Sequence, residues 1–167
     1  MCKLNIRPAG EPDRASLIEA IGEFRMALAR LRNHSPTGDK TAAAAELDDY
    51  IERGFPIYVA EESPFGIVGY MVCRIDEDVL WVESLYVAEA FRRKGVAAQL
   101  YDVAERMAKE LGGNAPYNWV DPHNDAIIRF LKKRGYDVLN LIELRKKEPG
   151  ETLTQTVKVG GHEYYQQ

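Results

Sequence analysis

The first part of the chain shows helical and extended patterns of hydrophobic residues in turn. Leu4–Arg7 alternates apolar and polar residues, which predicts a short strand. Apolar residues then recur at helical spacing, which predicts an amphipathic helix over residues 12–31. An alanine-rich segment over residues 42–53 predicts a second helix with Thr41 as its N-cap, and residues 33–40 have the composition of a loop. The predicted buried stripe of the first helix consists of Leu17, Ile21, Phe24, Leu28 and Leu31.

Three strands joined by short turns are predicted after these helices. The extended pattern covers residues 57–61, 67–75 and 79–87, and turn-forming residues separate the three segments. Connections this short join antiparallel neighbours, so we expect the three strands to form a meander.

The second half of the chain adds helices and strands in alternation. Helical periodicity predicts helices over residues 96–111 and 124–134, and extended patterns predict strands over residues 117–120, 136–145 and 152–159. This order of elements indicates a mixed α/β (α+β) fold, with a mostly antiparallel central sheet of about seven strands flanked by about four helices. We expect a single domain over residues 1–147, with residues 148–167 as its C-terminal strand or tail.

Composition and charge exclude several classes of protein. The chain has 167 residues, 46% of them hydrophobic, and a formal net charge of −4, which suits one folded domain and disfavours a nucleic-acid-coating surface. No apolar run reaches the ~20 residues of a membrane-spanning helix, and the first residues lack the apolar segment of a secretory signal. The two cysteines, Cys2 and Cys73, indicate a reducing compartment, so we expect a cytoplasmic protein in which Cys73 is a buried thiol. No two histidines have zinc spacing, so no metal site is expected.

A basic turn before the helix at residue 96 is the first candidate for chemistry. A helix N-terminus exposes unpaired N–H groups, and residues with little side chain let a phosphate approach them closely. Three cations beside such a terminus add favourable charge, so the turn predicts a pyrophosphate cradle. The alternative is a solvated basic turn ahead of an ordinary helix. The segment reads Arg92, Arg93, Lys94, Gly95, Val96, Ala97 and Ala98.

The chain resembles the GNAT superfamily of acyl-CoA-dependent N-acetyltransferases. The family signature of Arg or Gln, two residues, Gly, one residue, and Gly or Ala matches Arg92, Gly95 and Ala97. A second family element, an Asn that opens a helix ending in Gly and an aromatic residue, matches Asn124 and the Gly-Tyr pair at 135–136. The resemblance covers roughly residues 4 to 147 in the family's order of elements.

This resemblance implies how a donor would bind. In the family, the strands that match residues 79–87 and 117–120 splay apart, and acetyl-CoA or coenzyme A lies between them. The main chain of Leu85, Tyr86 and Val87 would then pair with the pantetheine arm like an added strand. By the same resemblance, the main chain of residues 93–98 would hold the pyrophosphate, and Asn124 would contact the cofactor from the opposite side.

Glu83 is the candidate general base. Acyl transfer to an amine needs the neutral amine, and deprotonating a lysine-like ammonium at neutral pH costs about 4–5 kcal/mol. Glu83 is an acid within an apolar strand, and it matches a position where several family members carry a base. The alternatives are that Glu83 points to solvent or pairs with an Arg on a neighbouring strand.

The general acid stays open. Many family members place a Tyr four residues before the Gly that matches Gly135, where it protonates the leaving thiolate, and this chain has Leu131 at that position. Tyr117, His123 and Tyr136 are the candidates to replace it.

These features predict an N-acetyltransferase that moves an acetyl group from acetyl-CoA directly to a primary amine. Direct transfer is expected because no Cys or Ser nucleophile with a base partner is visible. The acceptor could be a small molecule or a protein amine, and nothing suggests a nucleic acid or a membrane. The alternative is a module of the same fold that binds acyl-CoA without catalysis. The predicted strand over residues 152–159 would leave a sheet edge that a homodimer could cover.

Overall fold

A computed structural model describes residues 4–31 and 39–166. Cys2 and most of the loop predicted over residues 33–40 therefore lie outside the described residues. The chain groups into two units, one ending at Asp121 and the other beginning at Pro122. The single domain predicted over residues 1–147, with residues 148–167 as its C-terminal strand or tail, stays a prediction.

A five-stranded sheet forms the centre of the first unit. Its strands are β1 (Leu4–Pro8), β2 (Ile57–Glu62), β3 (Gly66–Asp76), β4 (Val79–Val87) and β5 (Tyr117–Asn118), and they are hydrogen-bonded in that order. All neighbours are antiparallel except β4 and β5, which are parallel. The meander predicted from the short turns is confirmed, and so is the mixed, mostly antiparallel character of the sheet.

Helices cover both faces of this sheet. A 3₁₀ turn (Glu11–Asp13) leads into α1 (Arg14–Leu31), which is followed by α2 (Lys40–Glu52), and α3 (Val96–Glu110) follows β4. One core cluster packs the two N-terminal helices on the sheet through Ile21, Leu47 and Tyr70. The other packs α3 on the opposite face through Met71 and Leu100. The alternation along β3 and β4 explains how one sheet supplies both cores, since successive side chains point to opposite faces.

The N-cap of α2 differs from the prediction. Asp39 precedes the helix, and its carboxylate accepts hydrogen bonds from the N–H groups of Thr41 and Ala42 at 2.8 and 3.2 Å. Thr41 was the wrong residue for this role because an Asp two positions earlier reaches the same unpaired N–H groups and starts the helix sooner.

The second unit departs most from the sequence prediction. It contains α4 (Asp125–Lys133) and a two-stranded hairpin of β6 (Gln155–Val159) and β7 (His162–Gln166). The strand predicted over residues 136–145 is wrong, because that segment is neither helix nor strand, and the central sheet has five strands rather than seven. Alternation predicts which side chains share a face, but it does not supply the neighbouring strand that a sheet requires.

The sequence analysis also missed β7. Gly160 and Gly161 form its turn with φ of +57° and +85°, a pair of left-handed residues that suits a two-residue hairpin. None of the helices within residues 4–31 and 39–166 is both long and apolar enough to cross a membrane.

Gly69 permits the close approach of β3 to β4, and its replacement tests that packing. A Cβ added at Gly69 would lie 2.8 Å from the main-chain oxygen of Tyr86 and 3.4 Å from a methyl of Val96. We expect Gly69→Ala to lower the free energy of unfolding by about 1–3 kcal/mol. The added Cβ would clash with the main chain of the neighbouring strand, which cannot move aside as a flexible side chain can.

Gly22→Ala is the matched control for Gly69→Ala. A Cβ at Gly22 meets only the Ala43 methyl at 4.0 Å, so alanine within α1 should stabilise the chain by about 0.5–1 kcal/mol. Urea unfolding measures both variants. An unfolding free energy of Gly69→Ala equal to that of the parent chain would contradict the packing argument.

Candidate functional site

One edge of β4 lies open where β5 leaves it. β5 pairs with β4 only at Trp81 and Val82, so within the described residues no strand pairs with residues 83–87 on that side. Glu83 is exposed as a residue, although its side chain keeps only 28% of its accessible surface, so much of the exposure belongs to the main chain. An open strand edge presents unpaired N–H and C=O groups that an extended ligand can use.

A β-bulge marks the same position. Val72 pairs with Ser84 and Cys73 pairs with Val82, so Glu83 is an extra residue in β4 without a partner on β3. The bulge shifts the alternation of the strand. Leu80 and Val82 pack on the α3 side, whereas Tyr86 packs on the side of α1 and α2.

The side chain of Tyr86 is engaged away from the open edge. Its hydroxyl donates a hydrogen bond to Glu23 of α1 at 2.7 Å, and the ring is buried. Burial, followed by the hydrogen bond to Glu23, raises the pKa of Tyr86 to about 12. Leu85 and Val87 pack towards α3, so all three predicted donor-binding residues have their side chains committed to packing, and β4 offers its main chain to a ligand.

The turn before α3 combines two left-handed residues with an uncapped helix terminus. Arg93 has φ of +64° and Gly95 has φ of +84°. No side chain caps α3, and its first helical bond runs from the N–H of Gln99 to the carbonyl of Gly95 at 3.1 Å. The N–H groups that open the helix therefore have no partner within it, and together with the left-handed turn they form a concavity suited to an anion. These N–H groups belong to Val96, Ala97 and Ala98.

Three cationic side chains belong to the turn before this terminus, and one of them also anchors the turn. Arg92 donates from Nε to the carbonyl oxygen of Val87 at 2.9 Å, and its guanidinium lies 5.7 Å from the ring centre of Tyr86. It therefore ties the turn to the end of β4 through its Nε–H. Arg93 is exposed, and Lys94 lies 5.1 Å from the ring centre of Phe91.

Glu83 has a cationic partner on the neighbouring strand. Its Oε2 lies 3.3 Å from Nε of Arg74, so the alternative in which Glu83 pairs with an Arg describes one of its contacts correctly. The pair sits at the bulge, beside the open edge of β4, which is where a base would have to act on a ligand held there.

The remaining predicted residues are placed as follows. Asn124 is the N-cap of α4, with its Oδ1 accepting from the N–H of Ile127 at 3.3 Å, and its contact with a cofactor stays a prediction. Leu131 is buried. Tyr117 lies on β5 against Trp81, with ring centres 5.2 Å apart, whereas His123 and Tyr136 belong to the second unit. The general acid is therefore not assigned.

Cys73 is confirmed as a buried thiol. It has no accessible surface, and burial raises its pKa to about 12, so it is protonated and unreactive at neutral pH. No group of three or more potential metal ligands occurs among residues 4–31 and 39–166.

Sequence reasoning missed a pocket on α1. A surface pocket of about 250 Å³ lies beside this helix, and Glu23, which lines it, also accepts the hydrogen bond from Tyr86. No local signal could have indicated that hydrogen bond, because Glu23 and Tyr86 are 63 residues apart. Its lining consists of Ile18, Glu19, Gly22, Glu23, Met26 and Lys40.

Comparison with known proteins gives a family and a shared fold. The sequence model of the "Acetyltransferase (GNAT) family" matches residues 25–136. Among solved structures, the aminoglycoside N-acetyltransferase AAC(6′)-Iy in complex with CoA superposes with a TM-score of 0.68 at 18% identity, covering 89% of this chain and 97% of that one. For the aminoglycoside 6′-N-acetyltransferase AAC(6′)-Ih from Acinetobacter baumannii the TM-score is 0.65 at 16% identity, with 89% and 100% covered. An acetyltransferase of Trypanosoma brucei gives 0.63 at 19%, with 87% and 100% covered.

Proposed function

Because the chain belongs to the acetyltransferase (GNAT) family, we propose that it transfers the acetyl group of acetyl-CoA directly to the primary amine of a small molecule. Membership in the family makes the chain an N-acetyltransferase with acetyl-CoA as its donor. The observation that carries the proposal is the juxtaposition of two features at the end of β4. Its main-chain edge is open from residue 83 to residue 87, and the strand leads through a short basic turn into the uncapped N-terminus of α3.

The donor would lie along this edge and end at the helix. Main-chain groups of Leu85, Tyr86 and Val87 would pair with the two amides of the pantetheine arm, as an added strand would. The diphosphate then reaches the N–H groups that open α3, where the helix dipole and the cations at residues 92–94 stabilise its charge. An N–H near Leu85 would face the thioester oxygen and stabilise the charge that develops there.

The chemical step needs a neutral amine nitrogen. Glu83 would take a proton from the acceptor's ammonium, directly or through water, at the point where β5 leaves β4. The nitrogen then attacks the thioester carbonyl carbon, a C–N bond forms and the C–S bond breaks. The nitrogen loses its second proton to the departing sulfur or to water, so coenzyme A leaves as the thiol or thiolate. A thiol with a pKa of about 8.5 is a tolerable leaving group unaided, so transfer does not require a Tyr at Leu131.

The acceptor side is the face of the sheet covered by α1 and α2. Glu23 lines the pocket beside α1, and its hydrogen bond with Tyr86 connects the pocket with β4. Glu19 in the lining pairs with Lys40, so the carboxylate of Glu23 is the group that would favour a cationic acceptor such as a small-molecule polyamine or amino sugar. The aminoglycoside acetyltransferases that share the fold act on acceptors of this kind, which supports the proposal.

A change at Gly95 tests the diphosphate site. Gly95→Ala would force a side chain into the left-handed region at φ of +84°, and the turn should relax away from the geometry that holds the anion. We expect the Kd for coenzyme A, measured by calorimetry, to rise about tenfold.

Gly112→Ala is the control for that measurement. Gly112 has φ of +88° at the other end of α3, and a Cβ there, as at Gly95, meets no heavy atom within 4 Å. Both substitutions carry a similar backbone cost, but only Gly95→Ala should weaken coenzyme A binding. Equal affinities in the two variants would place the diphosphate elsewhere.

A rate comparison tests the proposed base. With acetyl-CoA and a panel of amines, the chain should release free thiol in an amine-dependent reaction. Glu83→Gln should lower the rate at neutral pH at least about tenfold and change the pH–rate profile, with coenzyme A affinity unchanged. Glu61→Gln is the control, because Glu61 is also a strand glutamate paired with an Arg, with 3.0 Å between its Oε2 and Nε of Arg7.

Three outcomes of this assay are informative. Amine-dependent thiol release supports the proposed function. Coenzyme A binding without any amine-dependent release would favour the acyl-CoA-binding module instead. A Glu83→Gln variant with the parent rate and pH profile would remove Glu83 from the mechanism while leaving the reaction in place.

We also propose that the chain forms a homodimer through its C-terminal unit. Five large apolar side chains are exposed within a segment that has neither helix nor strand, and their burial against a second copy would be favourable. Light scattering should give twice the monomer mass, and Leu141→Lys with Leu144→Lys should restore the monomer. A monomeric parent chain at micromolar concentration would refute this proposal. The cytoplasmic location expected from the sequence stays a prediction. The five residues are Val138, Leu139, Leu141, Ile142 and Leu144.

A further inference from the structure

Arg74 of β3 is held against two indole rings. It pairs with Trp81 across β3 and β4, so both side chains lie on the face that carries the bulge residue Glu83. The guanidinium carbon lies 5.3 Å from the ring centre of Trp81 and 5.3 Å from that of Trp119, and the two indoles lie 5.2 Å apart. A planar cation in contact with two aromatic rings has few orientations available to it.

The guanidinium lies beside two carboxylates. Nε lies 3.3 Å from Oε2 of Glu83, and Nη1 donates a hydrogen bond to Oδ2 of Asp76 at 3.2 Å. The side chains of Arg74 and Glu83 are 18% and 28% exposed, whereas that of Asp76 is 64% exposed. Solvent screens the contact with Asp76, so the contact with Glu83 is the better shielded of the two.

Glu83 needs such a partner because its strand gives it little support. As the bulge residue it has no residue opposite it on β3, and β5 has already left β4 at this point. Across residues 4–31 and 39–166, Arg74 is its one ion-pair partner. A long carboxylate side chain on an open edge would otherwise sample several rotamers, and a general base acts efficiently only from the correct position.

Building on the proposed role of Glu83, we propose that Arg74 is a positioning residue that holds the Glu83 carboxylate in place for proton transfer, and that Trp81 and Trp119 fix Arg74. Arg74 does not touch the donor in this arrangement. It acts through Glu83, and the two indoles act through Arg74.

The kinetic test compares substitutions at Arg74 with matched controls. Arg74→Met should lower kcat about tenfold or more, with the KM for acetyl-CoA unchanged, because misplacing a catalytic group slows the chemical step and not donor binding. Arg74→Lys keeps the charge without the planar stacking group and should recover part of the rate. Arg53→Met also removes a guanidinium that lies over an aromatic ring, 4.6 Å from the Phe55 centre, and that pairs with a carboxylate, Asp49 at 3.3 Å. We expect that control, together with Asp76→Asn, to change kcat less than about twofold.

A double-mutant cycle asks whether Arg74 acts through Glu83. In the Glu83→Gln background, Arg74→Met should cause little further loss, because the group that it positions is already gone. Additive losses would overturn the proposal, as would a parent-like kcat for Arg74→Met. The proposal would also be overturned if Arg74→Met raised the KM for the amine even in the Glu83→Gln background. Arg74 would then contact the acceptor itself.

A spectroscopic measurement decides the contact independently of catalysis. The Nε–Hε NMR signal of Arg74 should be displaced by the ring currents of the indoles, move in Glu83→Gln, and return towards the position of a free arginine in Trp119→Ala. If the chemical shift of the Arg74 signal is the same in the parent chain and in both variants, the proposal is overturned. This test does not depend on whether Arg74→Met folds. If the parent chain shows no amine-dependent thiol release, the proposed function is refuted. An Arg74 NMR signal that moves in both Glu83→Gln and Trp119→Ala would still support the positioning contact.

Discussion

The early end of the pairing between β4 and β5 is the constraint on which the rest of the site depends. Two residue pairs join these parallel strands, and the second strand then leaves. From that point, among the described residues, the main chain of β4 has hydrogen-bonding groups without a strand partner on the β5 side, which is a costly arrangement in a protein core and a useful one in a binding site. The bulge at Glu83 coincides with this separation, so the change in pairing and the change in side-chain direction occur together.

Contacts on the elements around the open edge of β4 fix the position of that edge. Gly69 lets β3 approach within a distance that a Cβ would not allow, and α3 packs over that contact through Val96. Arg92 then anchors the turn to the carbonyl of Val87. On the other strand, the side-chain oxygen of Asn118 accepts a hydrogen bond from Tyr101 of α3 at 2.8 Å, which fixes the end of β5. Packing and hydrogen bonds therefore fix the elements on both sides of the open edge.

Local patterns predicted the meander, the helix at residue 96 and the basic turn, because these depend on periodicity and on short-range backbone chemistry. The same reasoning failed for residues 136–145, whose alternation has no neighbouring strand to pair with, and it missed the Gly160–Gly161 turn although two adjacent glycines were visible. An Arg on a neighbouring strand was an alternative for Glu83, but which Arg it is, and the partner of Tyr86, could not be predicted for a different reason. Arg74 and Glu23 approach them only through sheet register and helix packing, which no sequence window contains.

The bulge at Glu83 has a consequence for how this strand can vary. Every side chain of β4 after residue 83 faces the side that it does because one extra residue precedes it. Loss of a single residue there would restore uninterrupted pleating and exchange the two faces from Ser84 to Val87, so that Tyr86 would turn towards α3 and its bond with Glu23 would be lost. Individual positions from residue 83 to residue 87 can accept substitutions. An insertion or deletion within this stretch would instead reverse the direction of the side chains that follow it, so we expect insertions and deletions only outside it.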